Sequence, residues 1–184
     1  MNKKTLAITI SALGIGLNII LAMTAKTLHI PFLFLDTIGT ILSGVLLGPF
    51  FGAITGLITN IITSVIKNPI ELPFALINMI IGIVSGYIAK KFNFNIKTAI
   101  LTGALLSILA PLVGTPITIY LFGGLTGGSI DILTGWLVKS GQKIFTATFI
   151  PRILSNLIDK ISSCIVVSIL LTKIPNNILN KIKG

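Results

Sequence analysis

Charge is scarce in this chain: charged side chains make up 10% of its 184 residues, where a soluble globular protein carries roughly a quarter. There are four carboxylates and one histidine, with no metal-ligand cluster, no nucleophile beside a base and no paired acids on one helix, so neither an enzyme nor a bound cofactor is expected. A Gly-x-x-x-x-Gly-Lys-Ser/Thr phosphate loop is missing, which excludes ATP binding by the chain itself. The single cysteine, Cys164, lies in an apolar run, has no partner for an internal disulfide and reads as a small packed hydrophobe. Period-2 alternation is lacking, which argues against a barrel, and there are no matching halves with broken helices of the kind found in repeat-built secondary transporters. The formal charge of +10 forms no basic stripe with interleaved aromatics, so nucleic acid is not implied.

What fills the chain instead is apolar: 53% of residues are hydrophobic, and the mean hydropathy is +1.04. Several apolar runs approach or reach the roughly 20 residues that cross a hydrocarbon core as helix. The fold class expected is an all-α integral membrane protein, a six-helix bundle forming a single transmembrane domain over 1–184 with helices near 5–24, 36–48, 50–66, 73–89, 98–121 and 151–172. The first run has no small-residue cleavage site and is expected to be a retained span. Six spans put both termini on one side together with Lys3, Lys4, Lys90, Lys91, Lys97, Lys173, Lys181 and Lys183. Lys26, Lys67, Lys139 and Lys143 fall opposite, and the positive-inside rule makes the termini cytoplasmic. The Gly-rich connection from about Phe122 to Ile150 is too apolar for a solvated linker. It is expected to make a short helix over 130–138 and to fold back as an outer lid before the last helix; the alternative is a seventh, partly inserted segment.

Ionisable groups inside membrane spans each cost roughly 2.5–3.5 kcal/mol and ask for a partner or a cavity. Arg152, Asn156 and Asp159 share one face of the last helix by i, i+4, i+7 spacing, with Ser155, Ser162 and Ser163 on its flanks. Asn60, Thr63, Asn78, Thr115 and Thr118 add uncharged hydrogen-bonding groups, which either surround a small polar ligand or tie helices together. Arg152 is the leading ligand contact, unless it forms an internal salt bridge to Asp36, Asp131 or Asp159. Lys160 either snorkels or pairs with an acid. Phe32, Phe34 and Trp136 either stack on a planar ring or sit in the headgroup belt, and His29 reads as a loop residue. This mix suits a small polar ligand carrying a carboxylate or several ring hydrogen-bonding groups.

Thr9, Ala12 and Gly16 line one face of the first span, a smooth stripe that lets a partner helix, or a neighbour within the bundle, approach closely. Gly44, Gly48, Gly52 and Gly56 read as internal packing.

The stretch PFLFLDTIGTILSGVLLGPFFGAITGLITN, followed by LPFALINMIIGIVSGYIAKK, resembles the core of an S component, the substrate-binding membrane subunit of an energy-coupling factor (ECF) transporter, and the likeness spans the chain. It implies capture of a vitamin-like micronutrient in a prokaryotic cell membrane, with a transmembrane coupling subunit and two ATPases as partners. Outer loops then close, and the subunit topples when ATP binding rearranges the complex. Carried onto this chain, the family's site falls near Phe34, Asp36, Asn78, Thr115, Asp131, Trp136, Arg152 and Asn156. Ala12 and Gly16 resemble the family's Ala-x-x-x-Ala coupling surface, with glycine in place of the second alanine. The alternative is a small ion-coupled carrier or channel working as a homo-oligomer, with Asp159 and Lys160 as its relay.

Overall fold

The first apolar run becomes a 25-residue helix, α1 (Lys3–Thr27), whose buried side is the small and polar series Ala7, Ser11, Gly14 and Asn18 at three- and four-residue spacing. Its bulky Ile8, Leu13 and Ile20 remain on the outside, where lipid accommodates them. The computed structural model describes residues 2–28, 30, 32–127 and 130–183, so His29 lies outside the described residues. Within them every regular element is helical.

After α1 the chain does not re-enter as helix. Residues 33–36 are irregular, Phe32 and Leu35 adopt left-handed backbone with φ of 61° and 52°, and α2 begins only at Ile38. The Gly39 amide donates to Asn18 Oδ1 at 2.6 Å, which fixes the start of α2 (Ile38–Leu47) beside the middle of α1. The expected second span of 36–48 is therefore a ten-residue helix about 15 Å long, half a hydrocarbon core, preceded by extended chain that descends into the bundle. Irregular backbone at such depth is tolerated where protein surrounds it.

Gly48, with φ of 99°, makes the turn into α3 (Pro49–Ile66), and Pro49 occupies the first helical turn, where its missing N–H is no loss. A 3-10 turn at Pro69–Phe74, capped by Asn68, leads into α4 (Ala75–Lys91). Asn95 caps α5 (Ile96–Phe122), which ends on left-handed Gly123. Next come α6 (Asp131–Lys139), α7 (Ile144–Lys173) and α8 (Asn176–Lys183), the last lying against α1 and α2. Five of these segments are long and apolar enough to cross a membrane: α1, α3, the turn with α4, α5 and α7. The last long helix was expected at 151–172; it starts instead at Ile144, which leaves Pro151 two turns inside it and shortens the Gly-rich connection to 123–143. Buried Ala147 and Thr148 show the packing that holds the helix on the α6 side of that proline.

Helix directions follow from the contacts. Gly52 meets Gly82 and Gly56 meets Asn78, so α3 and α4 are antiparallel; Gly103 meets Ile161 and Gly124 meets Thr148, so α5 and α7 are as well. Asn18 bonds Thr59, which aligns α1 with α3. One end of the bundle thus carries Lys90, Lys91, Lys97 and Lys173, and the other carries the 3-10 turn and α6. The core between them is Ile38, Ile41, Ile81, Leu106, Cys164 and Val167 with small neighbours.

Gly14 and Gly39 press backbone on backbone, leaving no room for a side chain, whereas Gly16 faces open space. Gly39→Ala should destabilise the protein by about 3 kcal/mol, the upper part of the usual overpacking range, and Gly16→Ala should be neutral. Thermal unfolding in detergent, followed through the reactivity of fully buried Cys164 with a thiol dye, checks both.

Candidate functional site

Two polar layers meet on α7. The deeper one lies halfway along the helix. Lys160 Nζ sits 2.6 Å from Asp159 Oδ2, 3.3 Å from Asp36 Oδ1 and 3.2 Å from Thr37 Oγ1, with the lysine and Asp159 buried. Asp159 Oδ1 also accepts the backbone N–H groups of Phe34 and Leu35 at 2.8 and 2.9 Å. The carboxylate therefore grips the descending segment at the residue whose φ is left-handed, a conformation that persists only where its surroundings hold it. Asp36 keeps its second oxygen uncommitted, and its side chain is 48% exposed.

The second layer lies two turns nearer the α6 end. Arg152 Nε is buried without an acceptor, and Thr148 Oγ1, one turn along the same face, is equally unpartnered. Across from α7, Thr115 and Thr118 on α5 are fully buried with unpartnered hydroxyls. Ile77 packs against Gly114, which sets neighbouring Asn78 of α4 level with Thr115. Asn78 donates to Asn60 Oδ1 at 2.8 Å but leaves its own Oδ1 buried and without a partner. Three helices thus present unmet hydrogen-bonding groups at one level of the bundle. Buried polar atoms are ordinarily paired, so this group is the candidate site; Ser11, Ser43, Thr55 and Ser163 carry further unpartnered hydroxyls elsewhere in the bundle.

The sequence-predicted residues divide accordingly. Asn78, Thr115 and Arg152 fall in this layer, and Phe34 and Asp36 are brought to α7 by the deeper one. Asn156 bonds its own helix instead, donating to the Arg152 carbonyl at 2.8 Å. Asp131 caps its turn, accepting from the Gly127 amide and the Thr126 hydroxyl. Trp136 on α6 is 66% exposed and Thr134 is its helix's buried contact, so the indole points away from the bundle here. Lys160, left open in sequence between snorkelling and pairing, pairs with two acids. Adjacent residues on a helix do not usually face each other, and only the lysine's long stem lets it reach its neighbour. Thr148 and Asn18 carried no assignment in sequence. Asn18 joins three helices, donating to Thr40 Oγ1 at 2.9 Å and Thr59 Oγ1 at 3.1 Å besides accepting from Gly39. Its signal was present, since a lone amide in an apolar run is costly without partners.

A groove of about 750 Å³ opens at the lysine-rich end, between Phe94, Asn95, Ser168 and Thr172. Ser168 Oγ there is already bonded to the Phe94 carbonyl, so this groove lacks the unmet groups of the α4–α5–α7 layer.

On the outer side of α1, Thr9 and Ala12 are exposed and Gly16 has nothing within 4 Å of a built Cβ. The stripe they form is opposite the Ala7–Ser11–Gly14–Asn18 face that packs inward.

Lys160→Met, which strands the Asp159 carboxylate in the interior and takes the partner from half-exposed Asp36, should cost about 3–5 kcal/mol in thermal unfolding. The triple variant Asp36→Asn, Asp159→Asn, Lys160→Met should recover most of that loss, because amide oxygens still accept the Phe34 and Leu35 amides.

No curated protein and no solved structure matches this chain. A family model described as ECF transporter, substrate-specific component, matches residues 6–171, from the start of α1 almost to the end of α7. With most of its length covered, the chain belongs to the substrate-specific components of ECF transporters.

Proposed function

We propose that this chain, acting as one domain over its whole length, captures a vitamin, vitamin precursor or related micronutrient outside a prokaryotic cell and delivers it to a coupling subunit driven by two ATPases. The observation that carries this reading is the layer of unpartnered buried groups on α4, α5 and α7, at the end of the bundle away from the lysine clusters. Eight lysines on the terminal side against four opposite orient the termini to the cytoplasm by the positive-inside rule, so the layer opens outward. In this reading Phe34 and Asp36 form its inner border and the short helix α6 serves as its cover, which the packing of α6 on α7 supports. Trp136 and Asp131 join the site only if α6 turns inward when the ligand is bound.

The exposed Thr9–Ala12–Gly16 stripe supports the role of coupling surface, because small side chains on an unused face let a partner helix come close. The buried Asp159–Lys160 pair gives a reason to weigh an ion-coupled carrier as well. Both Asp159 oxygens and the lysine ammonium are fully engaged, however, and a relay needs a group free to exchange its proton.

A thermal-shift screen of the detergent-purified chain against vitamins, their precursors and nucleosides should yield one selective hit, raising the midpoint by about 5 °C at a hundredfold excess over Kd. Liposomes holding the chain alone should bind that compound without accumulating it; accumulation without ATPases would establish the carrier. Ala12→Leu with Gly16→Leu should leave binding intact and reduce co-purification with the coupling complex at least about tenfold, the scale expected when bulky groups enter a close helix contact.

A further inference from the structure

Charge inside the bundle is distributed unevenly, and the imbalance bears on what the site carries. All four carboxylates are among the described residues. Glu71 lies in the 3-10 turn, outside the polar layers. Asp36 and Asp159 share Lys160. Asp131 is the acid whose charge reaches Arg152, yet its two oxygens are turned onto the Gly127 amide and the Thr126 hydroxyl. Among the described residues no carboxylate forms an ion pair with Arg152.

Arg152 is thus a half-buried cation of a membrane bundle, and its Nε is buried without an acceptor. A guanidinium keeps its charge under all ordinary conditions, so neutralisation by proton loss is closed to it. Lysine has taken both acids that the deeper layer offers, and the helix spacing that made Asp159 a candidate partner leaves it two turns, about 10 Å, away. A neutral carbonyl from a ligand would satisfy the Nε hydrogen bond but not the charge. A carboxylate or phosphate satisfies both, and its planar or tetrahedral oxygens match the guanidinium fork.

Resting on the reading of this chain as a substrate-binding component, we infer that its substrate is an anion at neutral pH and that Arg152 is the counter-ion that holds it. Thr148, on the same face one turn away, supplies a hydroxyl to the bound oxygens, with Thr115 and Thr118 across on α5. The deeper layer carries one more negative than positive charge, with Asp36 half exposed. It sets the polarity of binding: the anionic group sits at the Arg152 level, and the uncharged or donor-bearing end of the molecule points down towards Asp36.

The test uses yeast extract, deproteinised and split at pH 7 on an anion exchanger into a retained fraction and a flow-through fraction. Each is added to the detergent-purified full chain, and unfolding is followed through the exposure of Cys164. The retained fraction should raise the midpoint by about 5 °C or more and the flow-through should not. Arg152→Gln should abolish the shift, and Arg152→Lys, which keeps the charge but not the fork, should keep part of it. Phosphatase treatment of the retained fraction separates the two sources: loss of the shift identifies a phosphate ester, and survival a carboxylate. A shift produced by the flow-through alone overturns the inference and leaves the binding role standing, as does an equal shift in wild type and Arg152→Gln. No shift from either fraction counts against both. Should Arg152→Gln fail to fold, the comparison of fractions on the wild-type chain still decides.

Discussion

The grip of Asp159 on the Phe34 and Leu35 amides is the interaction on which this architecture depends. It lets an extended segment run at mid-depth, where backbone N–H groups without partners would each cost several kcal/mol. With that segment anchored, α2 starts halfway down the bundle and the Gly14–Gly39 contact can form. The same carboxylate is itself buried, and Lys160 makes its charge tolerable by pairing with it and with Asp36. A buried ion pair is weak evidence for stability, but here it fixes the path of the chain.

Asn18 complements that grip from the opposite side. Its amide meets α2 and α3 at one point, so the position of Gly39 is set from α1 while the segment leading to it is set from α7. The polar layer on α4, α5 and α7 is left with nothing of this kind to do, and that is what distinguishes it. Single hydroxyls are also unpaired at Ser11, Ser43, Thr55 and Ser163, but the unpaired amide oxygen of Asn78 and the unpaired Nε of Arg152 both belong to this layer.

Much of this fold is legible in the sequence. Long apolar runs fixed α1, α3 and α5 to within a few residues of their observed bounds, since no charged residue interrupts those stretches between their ends. The descending segment was not legible, because PFLFL is as apolar as a span and nothing local reveals that its backbone is held by an aspartate 125 residues away. The start of α7 was misplaced by Pro151, which reads as a first-turn proline unless one knows that α5 packs the turns before it. Within the site, Arg152, Asn78 and Thr115 stood out as polar residues in lipid-length helices. Thr148 did not, because a threonine before a proline resembles a helix start, and Asn156 stood out for a face on which its side chain turns back to its own backbone.

The helices differ in what lies at their closest approaches. Where α3 meets α4, and where α5 meets α7 at Gly103, glycine opposes backbone, and those seams can move only as rigid bodies. At Gly114, between α4 and α5, the nearest atom is the tip of the Ile77 side chain. A rotamer change there opens space beside Asn78 and Thr115 without displacing a helix, on the nanosecond scale of side-chain motion. That wall of the polar layer is therefore more compliant than the glycine seams, and a solute entering it needs to displace a methyl group before it needs to displace a helix.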